Sequence, residues 1–274
     1  MRAAYYEKLG TAADVLTVGE VETPAPAPGE IRLRMQVSGV NPSDTKARLN
    51  GRGGGMPFPF IIPHSDGAGV IDAVGEGVGA DRVGRRAWVM NGQYGRALGT
   101  AAEYIVLPQK FVIDLPDGAD IAEAACFGIP FLTAWRAVTM MGDVTGKNVL
   151  VQGGAGAVAH HAIQVAKRNG AKVLTTVSSP EKADYALAAG ADEALNYKDD
   201  DFVQQLLSKT DGKGADLIIE VNLAANGKTY GEVLAERGSV VIYGTTAPMA
   251  EVPGMAFIRK GATPCMPGQR SFVG

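Results

Sequence analysis

Apolar and polar residues alternate differently in the two halves of the chain. Up to about residue 120, short alternating runs such as Ile31–Val37 and Ala102–Leu107 are separated by turns rich in glycine and proline. Such alternation is typical of half-buried strands. Many short strands with frequent glycine predict a barrel or a sandwich.

The second half begins with a helical pattern and continues as a regular strand–helix alternation. The alanine-rich segment from Asp120 to Met141 has helical periodicity, with Asp120 as its N-cap and a break at Pro130. Short apolar strands separated by helices then predict a parallel sheet that is covered on both faces. The predicted strands are Asn148–Val151, Lys172–Val177, Glu193–Tyr197, Asp216–Glu220 and Ser239–Gly244.

A glycine-rich turn follows the first strand of this sheet and opens a helix. It has the form G-x-G-x-x-A at Gly154, Gly156 and Ala159. We expect Gly154 to permit the tight turn, Gly156 to let a pyrophosphate approach the helix N-terminus, and Ala159 to allow close packing. Because the turn stands in a strand–turn–helix context, it favours dinucleotide binding over a plain βα turn.

The end of the second strand indicates which dinucleotide is bound. NAD-binding proteins usually place a carboxylate there for the ribose 2′-hydroxyl, whereas this chain has Ser178 and Ser179, followed by Lys182. Two hydroxyls and an ammonium group would hold a 2′-phosphate, so the sequence favours NADP(H) over NAD. The alternative for Lys182 is a plain surface lysine.

Three stretches carry a family resemblance, and they follow one another in the family's order and spacing. The chain resembles the medium-chain dehydrogenase/reductase superfamily, in its zinc-free, zeta-crystallin-like quinone oxidoreductase branch. The stretches are Ser38–Asp44, Ile62–Ile71 and Gly153–Lys167.

The resemblance implies an α/β protein with two domains and an active site in the cleft between them. A GroES-like β-barrel domain is expected at residues 1–121, and a Rossmann doubly wound parallel sheet at residues 122–263. Residues 264–274 differ from the family, and their two prolines cannot serve a central strand. We therefore expect the last strand and the return segment to be missing. The resemblance implies a homodimer, and the shortened C-terminus argues against one.

The resemblance also implies metal-free chemistry. Zinc relatives have a cysteine at the position of Asn41 and a histidine at that of Ser65, so no metal site is expected. The implied reaction is hydride transfer from NADPH to a quinone or an α,β-unsaturated carbonyl. Asn41 is the candidate catalytic residue, placed beside nicotinamide and substrate. Lys46, where relatives often have tyrosine, is a second candidate donor or simply a solvent-facing lysine.

Further cofactor contacts are carried over from the family position by position. They comprise a threonine near the nicotinamide, the pyrophosphate turn, a tyrosine beside the 2′-phosphate or adenine, an asparagine and the end of the fifth strand. In this sequence they are Thr133, Ala155, Ala157, Val158, Tyr197, Asn226, Gly244 and Thr245.

Composition excludes several other function classes. Glycine makes up 36 of the 274 residues, about twice the usual share, but has no collagen-like period. A net charge of −3 gives no reason to expect nucleic-acid binding, and no stretch approaches the roughly 18 apolar residues of a membrane span. Two distant cysteines fit a reducing cytoplasm. Two alternatives to a reductase remain open: a non-catalytic NADPH-binding protein and a truncated, inactive relative.

Overall fold

The chain divides into two units, Met1–Ile129 and Pro130–Gly274, in a computed structural model that describes residues 1–51 and 54–266. The division lies C-terminal to the boundary predicted at residues 121 and 122. The helix predicted after Asp120 begins in the first unit, because Ala124 and Ala125 are buried there against Ala68 of the sheet.

The first unit consists mainly of short antiparallel strands. They are β1 (Arg2–Tyr5), β2 (Thr17–Glu20), β3 (Glu30–Gly39), β4 (Asp66–Val74), β5 (Arg86–Val89), β6 (Tyr104–Pro108) and β7 (Val112–Asp114). The helices are α1 (Ala12–Val15), α2 (Pro42–Asn50) and α3 (Ile121–Ala124), with 3-10 turns at Ala80–Arg82 and Gln109–Phe111.

An antiparallel sheet with the order β6-β3-β4-β5-β7 forms the centre of this unit, and β1 pairs with β2 in a separate ribbon. The predicted alternation along β3 is confirmed: Ile31 and Leu33 are fully buried, whereas Arg34 is exposed. Ile71 of β4 and Ile105 of β6 are buried too, and both are cross-strand partners of Leu33. Burial of alternate apolar side chains stabilises a sheet that is solvated on its other face.

The helical segment around Pro130 is broken, as predicted. The Asp120 carboxylate caps α3 by accepting hydrogen bonds from the N–H groups of Ala122 (2.7 Å) and Glu123 (2.9 Å). A π-helical turn at Phe127–Phe131, which contains Pro130, separates α3 from the next helix. Proline cannot donate the helical hydrogen bond, so the regular helix does not continue through it.

The second unit alternates strands and helices. Its strands are β8 (Asn148–Val151), β9 (Lys172–Val177), β10 (Glu193–Asn196), β11 (Ala215–Glu220), β12 (Leu234–Ile242) and β13 (Thr263–Cys265). Its helices are α4 (Leu132–Thr139), α5 (Ala157–Arg168), α6 (Pro180–Ala188), α7 (Phe202–Lys209), α8 (Leu223–Asn226), α9 (Tyr230–Val233) and α10 (Gly254–Lys260), with a 3-10 turn at Gly227–Thr229.

These strands form a parallel sheet with the order β10-β9-β8-β11-β12-β13. Alternate residues of one strand enter different cores: Val149 and Val151 pack with α4 and α5 residues, whereas Leu150 packs with residues of α7 and α9. Both faces of the sheet are therefore covered, which explains why the strands read as continuous apolar runs. The predicted doubly wound architecture is confirmed.

The expectation that the last strand of the parallel sheet is missing is wrong. Thr263–Cys265 form β13, which pairs in parallel with Ser239–Val241 of β12 at the edge of the sheet. Pro264 is tolerated there because an edge strand has one side on which no N–H donor is required. The rest of the tail predicted at 264–274 lies, from residue 267 on, outside the described residues.

Candidate cofactor-binding site

The turn between β8 and α5 closes through backbone hydrogen bonds. Gly153 has a φ of +73°, in the left-handed region that favours glycine, and Gly156 N–H donates to its carbonyl at 2.8 Å. The prediction that Gly154 permits the tight turn is therefore wrong, since that role belongs to Gly153. Gly154 is needed for a different reason: a Cβ there would lie 2.3 Å from Thr175 Oγ1.

Two buried threonines of β9 hold this turn, and motif spacing missed both. Thr175 Oγ1 donates to the Val151 carbonyl at 2.7 Å, and Thr176 Oγ1 donates to Gln152 Oε1 at 2.7 Å. Gly153 N–H in turn donates to Thr176 Oγ1 at 2.9 Å. The sequence does contain a signal for them, since both interrupt an otherwise apolar strand. Hydroxyl groups buried in such a strand need hydrogen-bond partners.

We expect the substitution Gly154→Ala to destabilise the second unit by about 1–3 kcal/mol, the usual cost of overpacking a core. The added methyl group would meet Thr175 Oγ1 at 2.3 Å and Thr175 Cγ2 at 2.9 Å. Urea unfolding of the full chain measures the effect. Gly254→Ala is the matched control, because a Cβ at Gly254 has no neighbour within 4 Å. Equal stability of the two variants would contradict this packing argument.

The start of α5 provides donors for an anion. The N–H groups of the first helical turn, at Ala157, Val158 and Ala159, precede the first intrahelical bond, which His160 N–H makes to the Gly156 carbonyl. Ala159 is buried against the sheet, as predicted, and a side chain at Gly156 would stand 3.2 Å from the Gly153 carbonyl. The lack of a side chain at Gly156 therefore leaves the helix N-terminus open to a phosphate group.

A surface depression of about 290 Å³ adjoins this turn at the end of β9. Lys182 Nζ donates to Ser178 Oγ at 2.9 Å, and Lys198 Nζ reaches the Ser178 carbonyl at 3.5 Å. Tyr197 is half exposed at its rim. The structure thus brings together most of the predicted turn and phosphate residues, and it adds Lys198, which sequence reasoning missed. The lining residues are Gly153, Ala155, Gly156, Thr176, Val177, Ser178, Lys182 and Tyr197.

The two remaining groups beside this depression have other roles. The Ser179 side chain caps α6 by accepting from Lys182 N–H. Glu181 is exposed and does not line the depression, and a hydrogen bond from Ser179 lowers the pKa of its carboxyl. The lining of the depression therefore carries ammonium and hydroxyl groups and no carboxylate, a set that suits a phosphate.

Other predicted contacts of this unit lie apart from the depression. Asn226 Nδ2 donates to both carboxylate oxygens of Glu220, at 3.0 and 3.2 Å. Gly244 follows β12 in close contact with the Val221 carbonyl, and Thr245 Oγ1 donates to the Ala247 carbonyl at 2.9 Å. Thr133 is half-buried on α4 and does not line the depression.

The first unit contains a buried polar network around Asn41. Asn41 Nδ2 donates to Asp66 Oδ2 at 2.7 Å, and the Asn41 N–H donates to Asp44 Oδ2 at 2.8 Å at the start of α2. Asp66 is 1% exposed and also accepts from Ile129 N–H at 2.9 and 3.0 Å. The Asn41 side chain is therefore held in one orientation, whereas Lys46 is exposed on the same helix. Asp66 was missed because one carboxylate in a glycine-rich strand resembles a turn residue.

Burial raises the pKa of the Asp66 carboxyl to about 6, although hydrogen bonds from Asn41 and Ile129 act in the opposite direction. The folded protein thus holds this proton more tightly than the unfolded chain. The resulting stabilisation is full below the unfolded pKa, about pH 4, and is lost as the pH rises through about 6.

We therefore expect the unfolding free energy of the unmodified protein to fall between about pH 4 and pH 7 by about 2 kcal/mol more than that of Asp66→Asn. Urea unfolding at a series of pH values measures this slope. The same substitution at Asp117, which is exposed, serves as the control and should leave the slope unchanged. A slope in Asp66→Asn equal to that of the unmodified protein would show that Asp66 does not titrate in this range.

Known proteins resemble the chain over nearly its whole length. Residues 27–117 match the alcohol dehydrogenase GroES-like domain, and residues 157–268 match the zinc-binding dehydrogenase domain. The chain is 31% identical to the quinone oxidoreductase of Rattus norvegicus over 245 residues, which are 89% of this chain and 73% of the relative. It belongs to the medium-chain dehydrogenase/reductase superfamily. The resemblance carried by the three sequence stretches is confirmed, and the chain is an oxidoreductase of the quinone oxidoreductase branch.

Solved structures of this superfamily share the fold. An NAD-dependent alcohol dehydrogenase has a TM-score of 0.89 and 30% identity, with 97% of this chain and 84% of that chain covered. A mycobacterial protein complexed with NADPH has a TM-score of 0.84 and 28% identity, with coverage of 98% and 82%. The similar structures therefore include proteins of both cofactor types, so likeness of fold does not distinguish NADPH from NADH for this chain.

The described residues contain neither a cluster of metal-binding side chains nor a helix that could span a membrane. Across residues 1–51 and 54–266, no three His, Cys, Asp or Glu side chains are grouped so that they could hold a metal ion. Within the same ranges no helix is both long enough and apolar enough to cross a membrane.

Proposed function

We propose that this superfamily member transfers a hydride from NADPH to a quinone or an α,β-unsaturated carbonyl. The observation that carries the proposal is the group of Ser178, Lys182 and Lys198 at the end of β9, beside the glycine turn. A 2′-phosphate needs hydroxyl and ammonium donors, and a carboxylate in their place would repel it. The quinone oxidoreductases to which the chain is similar support this choice of substrate class.

The residues of the second unit fit such a cofactor. The open N-terminus of α5 suits the pyrophosphate, because the N–H groups of its first turn precede the first intrahelical bond and Gly156 has no side chain beside them. Ser178, Lys182 and Lys198 would hold the 2′-phosphate, and the half-exposed ring of Tyr197 would stack on the adenine. When bound, NADPH supplies the hydride and the redox chemistry.

Asn41 of the first unit is the residue we propose beside nicotinamide and substrate. Its amide has two N–H groups, of which one is engaged with Asp66. The second can donate to the substrate oxygen, on which negative charge develops as the hydride arrives. Asp66 keeps the amide in place for this interaction, because an oriented donor needs no rearrangement during the reaction.

The proposal is tested by titrating the full chain with NADPH and NADH while following protein fluorescence. We expect tighter binding of NADPH, because NADH lacks the phosphate that Ser178 and Lys182 would hold. Equal affinity for the two nucleotides would contradict the assignment of the depression.

Lys46, exposed where relatives often have tyrosine, favours a second candidate, a non-catalytic NADPH-binding protein. NADPH binding without turnover on any quinone or enone would support that candidate.

A further inference from the structure

Glu220 is a fully buried carboxylate at the carboxyl end of β11. It is 0% exposed, and within the described part of the chain it forms no ion pair with a lysine, arginine or histidine. Its partners are neutral donors: Asn226 Nδ2 reaches both of its oxygens, and Asn222 N–H donates to Oε1. A buried carboxylate is costly unless such hydrogen bonds compensate it, so a role beyond packing is indicated.

The carboxylate determines which way the Asn226 amide faces. Only the NH2 group of an amide can donate to a carboxylate, so Nδ2 must point towards Glu220 and Oδ1 must point away from it. Asn226 is half-buried, and no donor from the described residues is bonded to its Oδ1. The amide therefore presents an oriented acceptor.

The surrounding backbone is held by the same cluster. Asn222 Oδ1 accepts from Thr246 N–H at 3.0 Å and from Thr246 Oγ1 at 2.9 Å, and Tyr243 N–H donates to the Glu220 carbonyl at 3.0 Å. The Leu223 N–H donates to the Gly244 carbonyl at 3.3 Å. The segments after β11 and β12 are thus tied together at the carboxyl edge of a parallel sheet, the edge at which ligands of such sheets bind.

We propose that Glu220 is a positioning residue, which turns the Asn226 amide so that its oxygen accepts a hydrogen bond from the nicotinamide riboside half of the cofactor. The inference rests on the proposed function, because it needs a nicotinamide nucleotide in the site. The donor is either the carboxamide NH2 or a ribose hydroxyl. The acetylpyridine analogue of NADPH, which lacks that NH2, distinguishes the two sources.

Protonation of Glu220 would reverse the orientation, because a carboxylic acid can donate to Asn226 Oδ1. Burial raises the pKa of Glu220 to about 7, against the hydrogen bonds from Asn222 and Asn226. The phenol of Tyr243, which directly follows β12, also responds to this carboxylate. Burial raises the pKa of Tyr243, and the charge of Glu220 raises it further. Lys228 and Glu251 near α8 are exposed and paired with each other at 2.8 Å. NADPH affinity is therefore expected to fall as the pH is lowered through about 7.

The test compares Glu220→Gln with a double variant in NADPH titrations at a pH above about 8, where Glu220 is ionised. The introduced glutamine keeps its oxygen for the Asn222 N–H, so its NH2 group takes the place of Oε2 beside Asn226 Nδ2. Two NH2 groups repel each other there, which favours turning the Asn226 oxygen inward. We expect NADPH affinity to fall about tenfold, the value of one lost hydrogen bond. Adding Asn226→Asp should restore most of it, because a carboxylate accepts from the introduced glutamine with one oxygen and presents the other outward.

The matched control is Glu193→Gln. Glu193 lies on β10 of the same sheet and forms an ion pair with Lys209 of α7, so this change should leave NADPH affinity unchanged. A merely structural role for Glu220 predicts that the double variant binds no better than Glu220→Gln. That result would overturn the inference. Loss of affinity with no change in melting temperature, followed by rescue, would support it.

A readout without nucleotide separates this inference from the proposed function. The side-chain amide signals of Asn226, assigned by their loss in Asn226→Ala, should shift in the NMR spectrum of Glu220→Gln and not in that of Glu193→Gln. Unshifted signals would overturn the positioning role, whether or not NADPH binds. Shifted signals together with failure of the unmodified protein to bind any nicotinamide nucleotide would overturn the proposed function and the cofactor role of Asn226 together.

Discussion

Replacing Ser178 with aspartate is expected to move nucleotide preference from NADPH towards NADH by about 100-fold in the ratio of the two dissociation constants. The new carboxylate would stand where Ser178 Oγ accepts from Lys182 Nζ at 2.9 Å. It would repel a 2′-phosphate, draw the Lys182 ammonium group into an ion pair, and offer an acceptor to the 2′-hydroxyl of NADH. Fluorescence titrations with both nucleotides give the ratio directly.

Two controls separate the charge from other effects of this substitution. Ser178→Ala removes the hydroxyl without adding charge, so it should weaken NADPH binding by only about tenfold and leave NADH binding nearly unchanged. Ser208→Asp introduces the same charge at an exposed position at the end of α7 and should change neither affinity. If the ratio in Ser178→Asp equals that of the unmodified protein, the 2′-phosphate is not bound at the end of β9.

Replacing Asn41 with alanine is expected to lower kcat by about 100-fold, which is the usual cost of removing one donor from an oxyanion site. The Asn41 amide is 6% exposed and is oriented by its 2.7 Å hydrogen bond to Asp66, so its second N–H is a preorganised donor. Steady-state oxidation of NADPH with para-benzoquinone measures the effect. Binding of NADPH, measured separately, shows how much of the loss belongs to the cofactor contact.

Because Asn41 precedes α2, its removal also affects the start of that helix. Asn41→Ser keeps an N-cap residue and loses the amide, so it should be folded and still be slow.

Lys46→Ala tests the second candidate donor. Since Lys46 is exposed on α2, we expect a smaller loss than for Asn41→Ala. If Lys46→Ala were the slower enzyme, the donor would have been assigned to the wrong residue.

The architecture of the second unit was largely predictable from the sequence. Each apolar run there is short and bounded by turn residues, so β8 and β9 have the bounds that the pattern predicted. The chain between β11 and β12 was predicted less well. A single helix was expected there, and the structure has α8, a 3-10 turn and α9 in succession. Gly227 and Gly231 fall in this segment, and glycine lowers helix stability.

In the first unit the strands with clear alternation were predicted, and the shortest were not. The three residues of β7 (Val112–Asp114) are too few to show a period of two, and they form a strand only because β5 offers them a partner. For the same reason β13 could not be read from Thr263–Cys265, whose strand conformation depends on pairing with β12. Pairing between distant segments is not encoded in local periodicity.

The residues of the candidate site were likewise predicted where they are close together in the sequence and missed where they are not. The glycine turn and the Ser178–Lys182 pair are local in sequence, so motif spacing located them. Thr176, Asp66 and Glu220 act through partners that are distant in sequence or through burial, as in the hydrogen bonds from Gly153 to Thr176 and from Asn41 to Asp66. Spacing arguments do not detect such groups, although Thr176 is a polar residue inside an apolar strand and Glu220 is a charged residue at the end of one.

The most direct test of the central claim is the oxidation of NADPH by the full chain in the presence of a panel of quinones and enones. We expect NADPH to be consumed with at least one member of the panel, and more efficiently than NADH at equal concentration. The amount of reduced acceptor formed should equal the amount of NADPH lost, as hydride transfer requires. Absence of NADPH oxidation with every acceptor, by folded protein that binds the nucleotide, would contradict the proposal that this chain is an NADPH-dependent reductase.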